Sequence, residues 1–277
     1  MRSIKSDTLS TNTDFRSDNV TGVAPQIMDA IIAANSGTVS SYGDDEITAR
    51  VQSRLSEIFE TDVWIFPVAT GTAANSLSLA SLSPSHGSIY CHREAHIEVD
   101  ECGAPEFFTG GAKLVLLGDE DGKFRAAELE EKLSTAHIGF QNAVQPAAVS
   151  GTQAAELGTV YSLEELQAIG EVARKYNLGY HMDGARFANA LITLGCTPAE
   201  MTWKAGVDVL SFGATKNGAM AAEAVVFFRE DLAQNFLYRR KRAGHLFSKM
   251  RFLSAQLEAY LTDDLWLNNA RHSNGLA

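Results

Sequence analysis

"VDVLSFGATKNGAM", Val207 to Met220, sets a run of apolar, strand-forming residues directly against a turn of small residues that carries one charged side chain, Lys216. A continuously apolar run of this length suits a strand buried on both faces. Six further stretches read the same way: "DVWIFPV" (62–68), "SIYCH" (88–92), "KLVLLG" (113–118), "NAVQPAAVS" (142–150), "LGYHMDGA" (178–185) and "EAVVFF" (223–228). Helical patterns separate most of them. In "SLEELQAIGEVARKYN" (162–177), Leu163, Leu166, Ile169, Val172, Ala173 and Tyr176 share one face, and Ser162 with Glu165 forms a capping box. Ile47, Val51, Leu55, Ile58 and Phe59 likewise follow helical spacing ahead of the first strand.

Buried strands alternating with helices predict an α/β domain, a mainly parallel sheet sandwiched by helices. With 277 residues, 45% of them hydrophobic, the chain can bury one large core. The expected division is an N-terminal arm over 1–24, a large domain over 25–245 and, from 246 to 277, the start of a smaller domain. A net charge of -11 argues against nucleic acid or an anionic membrane surface as partner. The basic run "YRRKR" (238–242) reads as a solvated helix face or as an anion contact across a subunit interface. Three cysteines without metal-site spacing and no apolar leader at the N-terminus suit a reducing, cytoplasmic setting.

In open α/β sheets ligands sit beyond the carboxyl ends of the strands, so the residues after each apolar run carry the chemistry. Gly71 and Thr72 open a helix after the first run, where exposed backbone N–H groups suit a phosphate or simply make a turn. Asp183 ends the fifth run, either as a helix cap or as a charged acceptor, and Arg186 follows as a surface residue or a carboxylate clamp. Lys216 is either a snorkelling side chain or an amine whose partial desolvation makes it a nucleophile. His92 and His96 are four apart, but Arg93 stands where zinc-hydrolase motifs place a glutamate, so no metal is expected and His96 alone is the functional candidate. A phosphate turn, a strand-end aspartate, an aromatic ring and a strand-end lysine are the parts that hold pyridoxal 5'-phosphate.

The motifs "DFRSDNVTG" (14–22), "SSYGDDEITARVQSRLSEIF" (40–59), "PVATGTAANSLSL" (67–79), "HREAHIEVDECGAPEFFTGGAKL" (92–114), "HMDGARFANAL" (181–191) and "SFGATKNGAMAAEAVVFF" (211–228) resemble the low-specificity L-threonine and phenylserine aldolases. These are fold type I pyridoxal-phosphate enzymes of the β-eliminating lyase group. The resemblance implies cleavage of a β-hydroxy-α-amino acid to glycine and an aldehyde, with β-elimination or an impaired homologue as the alternatives. It implies that Lys216 forms the Schiff base with the cofactor, Asp183 pairs with its pyridine nitrogen, His96 stacks on its ring, and Gly71 and Thr72 hold its phosphate. Ser17 and Arg186 would bind the substrate carboxylate, and Tyr42 and the Arg251 region would reach a neighbouring subunit's site in a homo-oligomer, a dimer or tetramer with shared sites. Two departures stand out. Gln153 falls where many members carry a histidine near the substrate hydroxyl, which makes it an expected substrate contact and leaves His96 or a water as the expected base. The sequence also ends before the arginine that a further domain would supply.

Overall fold

The structure is a computed structural model that describes residues 17–118 and 121–277; the first sixteen residues of the expected arm lie outside the described residues. All seven apolar runs form strands of one sheet: β1 (Trp64–Val68), β2 (Gly87–His92), β3 (Lys113–Leu117), β4 (Gln145–Thr152), β5 (Gly179–Gly184), β6 (Val209–Gly213) and β7 (Glu223–Phe227). Their order is β1-β7-β6-β5-β4-β2-β3. The pairs from β6 through β5, β4 and β2 to β3 are parallel, while β7 runs antiparallel to both β6 and β1. The expected mainly parallel α/β sheet is therefore present. The reversal of β7 has a consequence for the site: its first residue, Glu223, stands at the same edge as the last residues of the parallel strands.

The helices form where periodicity and caps place them. Glu46–Ile58 begins at Asp45, whose side chain accepts from the Thr48 N–H, and buries Val51 and Leu55. Leu163–Lys175 has the predicted capping box at Ser162 and Glu165 and buries Leu166, Ile169, Val172 and Ala173 against the sheet. The core is rich in edge-on aromatic contacts. Phe212 of β6 meets Phe59, Phe187, Tyr260 and Trp266 with ring centroids 5.7 to 6.4 Å apart, an arrangement that adds to the stabilisation from area burial alone.

Tyr260 and Trp266 belong to the helices Arg251–Leu261 and Leu265–Leu276, whose buried residues Leu257, Leu261 and Ala270 join the same core as the sheet. Residues beyond 246 thus pack onto the large domain here. The basic run is not uniformly solvated. Arg240 is 5% exposed, donates to the Pro67 carbonyl, and lies over the Phe66 ring.

Candidate active site

At the carboxyl edge of the parallel strands a cavity of about 280 Å³ opens. Gly71, Thr72, His96, Asp183, Arg186 and Lys216 all line it. They arrive from four strand ends: β1 leads into the helix Gly71–Leu82, β2 into the short helix His96–Val99, β5 carries Asp183 as its next-to-last residue with Arg186 three positions on, and β6 leads into the turn Thr215–Asn217.

The helix Gly71–Leu82 is built of small residues because it packs against β6, β5 and β7. Thr70 caps it by accepting from the Ala73 N–H at 3.1 Å, leaving the Gly71 and Thr72 amides at the positive end of the helix. A side chain at Gly71 would meet nothing within 4 Å, so the space beside this turn is open.

Asp183 is 4% exposed yet does not cap the helix that follows it; that helix, Phe187–Leu194, has no side-chain cap. Its Oδ1 accepts from the Ala185 N–H at 2.9 Å and its Oδ2 from the Asn75 side-chain amide at 2.8 Å. Among the described residues no salt bridge reaches this buried carboxyl. The same Asn75 nitrogen donates to Glu101 at 2.8 Å, and Glu101 in turn accepts from Ser76 and bonds His96 Nδ1 at 2.8 Å. The Glu101 bond raises the His96 pKa above its ordinary value, while burial raises that of Glu101. With Nδ1 committed, only Nε2 of His96 remains for other chemistry.

His92 ends β2 whereas His96 begins a helix, so the two histidines do not share one helical face.

Arg186 is a clamp already in use. Its Nε and Nη2 donate to Asp18 Oδ2 and Oδ1 at 2.8 and 3.1 Å, a bidentate pair. Ser17 caps the short turn that holds Asp18, its Oγ accepting from the Asn19 N–H, and Asn19 rather than Ser17 lines the cavity.

Two expected substrate contacts lie elsewhere in this chain. Gln153 has no exposed surface; its amide donates to the Tyr161 carbonyl and its oxygen accepts from the Tyr161 N–H, both at 3.0 Å. It stitches β4 to the following loop and does not line the cavity. Tyr42 stands apart, 45% exposed and with Lys241 4.9 Å from its ring centroid. Cavity residues not singled out from the sequence include Asn19, Asn75, Glu156 and Glu223.

The sequence matches the Beta-eliminating lyase family over residues 14–276, and the chain belongs to that family. It is similar to the low specificity L-threonine aldolase of Pseudomonas aeruginosa, with 50% identity over 95% of this chain and 75% of the relative, and to that of a Pseudomonas species, at 49% over the same shares. Its fold matches a solved threonine aldolase of Leishmania major with a TM-score of 0.89 and 28% identity, over 94% of this chain and 75% of that one.

Proposed function

We propose that the chain is a pyridoxal-phosphate-dependent aldolase that cleaves L-threonine, L-allo-threonine or a phenylserine-like amino acid to glycine and an aldehyde. The observation that carries this reading is the placement of Lys216, Asp183 and the Gly71–Thr72 helix start around one cavity.

The residues fit the cofactor. Asp183 is a buried carboxyl that takes two neutral donors and, among the described residues, no salt bridge, so a protonated pyridine nitrogen would supply a charge partner for it. The helix start offers amides and open space for the phosphate. Bound there, the cofactor supplies an electron sink for the bond at the substrate α-carbon.

The remaining work falls to the chain's own side chains. Lys216, on its turn just past β6, is the amine that holds the aldehyde. Asp183 keeps the ring proton in place, and Asn75 fixes the orientation of Asp183. His96, held by Glu101, forms the wall against which the ring stacks and stands beside the reacting atoms. Arg186, exchanging Asp18 for the substrate carboxylate, orients it through its fork, which sets the angle of the bond to be broken. Ser17 and Tyr42 retain proposed parts in carboxylate and cross-subunit contacts.

A homo-oligomer with shared sites belongs to this reading through the similarity to the threonine aldolases. A cytoplasmic location is part of the same proposal. Among the described residues no helix is long and apolar enough to cross a membrane.

The test is the visible absorption of the purified protein after adding pyridoxal phosphate. A band that requires Lys216 and shifts on adding glycine supports the reading, and a band unaffected by Lys216→Ala contradicts it.

A further inference from the structure

Sequence reasoning leaves the proton acceptor for the substrate hydroxyl between His96 and a water, because Gln153 cannot act as a base. The structure offers another group. At the end of β4 and just beyond it, Thr152, Ala154 and Glu156 line the cavity, whereas Gln153 and Ala155 turn into the core at 0% and 2% exposure. The turn after β4 thus buries the side chain at 153 away from the cavity and brings a carboxylate to it at 156.

Among the described residues three carboxylates line the cavity, and Asp183 has both oxygens committed. Asp183 takes Asn75 and the Ala185 amide, and Glu223 accepts from the Ala214 N–H at 2.8 Å beside the lysine turn. Glu156 differs. Its Oε1 accepts from the His96 N–H at 2.9 Å and from Thr152 Oγ1 at 2.8 Å, which fixes the carboxylate against the His96 wall. Its Oε2 is buried and, among the described residues, has no hydrogen-bond partner. A buried acceptor without a donor is costly, and a substrate hydroxyl can supply that donor.

We infer that Glu156 is a catalytic residue that accepts the β-hydroxyl proton of the substrate. The inference rests on the aldolase reading. The O–H proton passes to the carboxylate, the O–H electron pair becomes the second bond of the aldehyde, and the Cα–Cβ pair is left on the glycine fragment. Glu156 then returns its proton to solvent, and the α-carbon of the glycine fragment takes up one proton from solvent, so none is gained or lost. Burial, which outweighs the bonds from His96 and Thr152, raises its pKa and makes it a stronger base than an ordinary surface glutamate.

The test compares two reactions of the cofactor-loaded protein. Threonine cleavage needs the hydroxyl proton removed; exchange of the glycine α-hydrogen with deuterated water does not. Glu156→Gln keeps an oxygen for the His96 and Thr152 bonds but removes the base. Cleavage should fall about 100-fold or more while glycine exchange stays within about threefold. The cofactor absorption band and the melting temperature of the cofactor-free protein should both match the parent's. Glu156→Asp, which keeps a shortened base, should recover part of the cleavage. Cleavage that stays within about tenfold of the parent, or cleavage and exchange falling together, would overturn the assignment, as would an aspartate variant no better than the glutamine one. If the parent exchanges glycine but releases no aldehyde from threonine, the aldolase reading itself fails and takes this inference with it.

Discussion

One amide nitrogen, that of Asn75, stands 2.8 Å from Asp183 and 2.8 Å from Glu101. It joins the carboxylate proposed for the cofactor ring to the one that holds His96, so the two walls of the cavity share a single hinge point. Removing the amide leaves two buried carboxylates short of a donor. Asn75→Ala should destabilise the cofactor-free protein by about 1–3 kcal/mol and weaken cofactor binding as well. Urea unfolding with and without pyridoxal phosphate checks this; an unchanged midpoint in both states contradicts it.

Asp183→Asn separates chemistry from folding. The amide keeps a similar shape and can still accept a bond, but no longer balances a pyridinium charge. Activity should drop roughly 100-fold or more with little change in melting temperature. Losses in proportion would mean that the residue is chiefly structural.

The fork of Arg186 is the feature a lysine cannot reproduce. Arg186→Lys should raise KM about tenfold, the size of one lost charge-assisted bond. An unchanged KM would remove Arg186 from the carboxylate site.

Glu223 makes stability depend on pH. Burial pushes its pKa from 4.5 up to about 7. The folded chain therefore holds this proton while the unfolded chain has lost it. Stability is full below the unfolded pKa and is lost as pH rises through the folded one, over a window from about 4.5 to about 7. Glu223→Gln, which can still accept from the Ala214 amide, should flatten that fall. Melting curves of the two proteins should diverge in the variant's favour as pH rises; parallel curves would contradict the shift.

Much of this architecture was legible in the sequence because apolar runs and caps are local signals. β6 and Lys216 are adjacent in the chain, so the strand-end rule located the lysine without knowledge of the sheet order. Asp183 and Gly71 were found in the same way. What escaped was what the sheet brings together. Asn75 looks like one polar residue in a helix of alanine, serine and leucine, and only the crossing of that helix over β5 sets it against Asp183. Glu101 was one acid among several after His96. Gln153 drew attention through the resemblance, yet the turn of the chain past β4 gives the cavity to Glu156. Glu223 reaches the site only because β7 runs antiparallel, which no local pattern reveals.

The account's central claim is best tested by identifying what the cofactor-loaded protein releases from L-threonine. Glycine and acetaldehyde in equal amounts, lost in Lys216→Ala, are the predicted result. A keto acid with ammonia, or product formation that survives loss of Lys216, would contradict it.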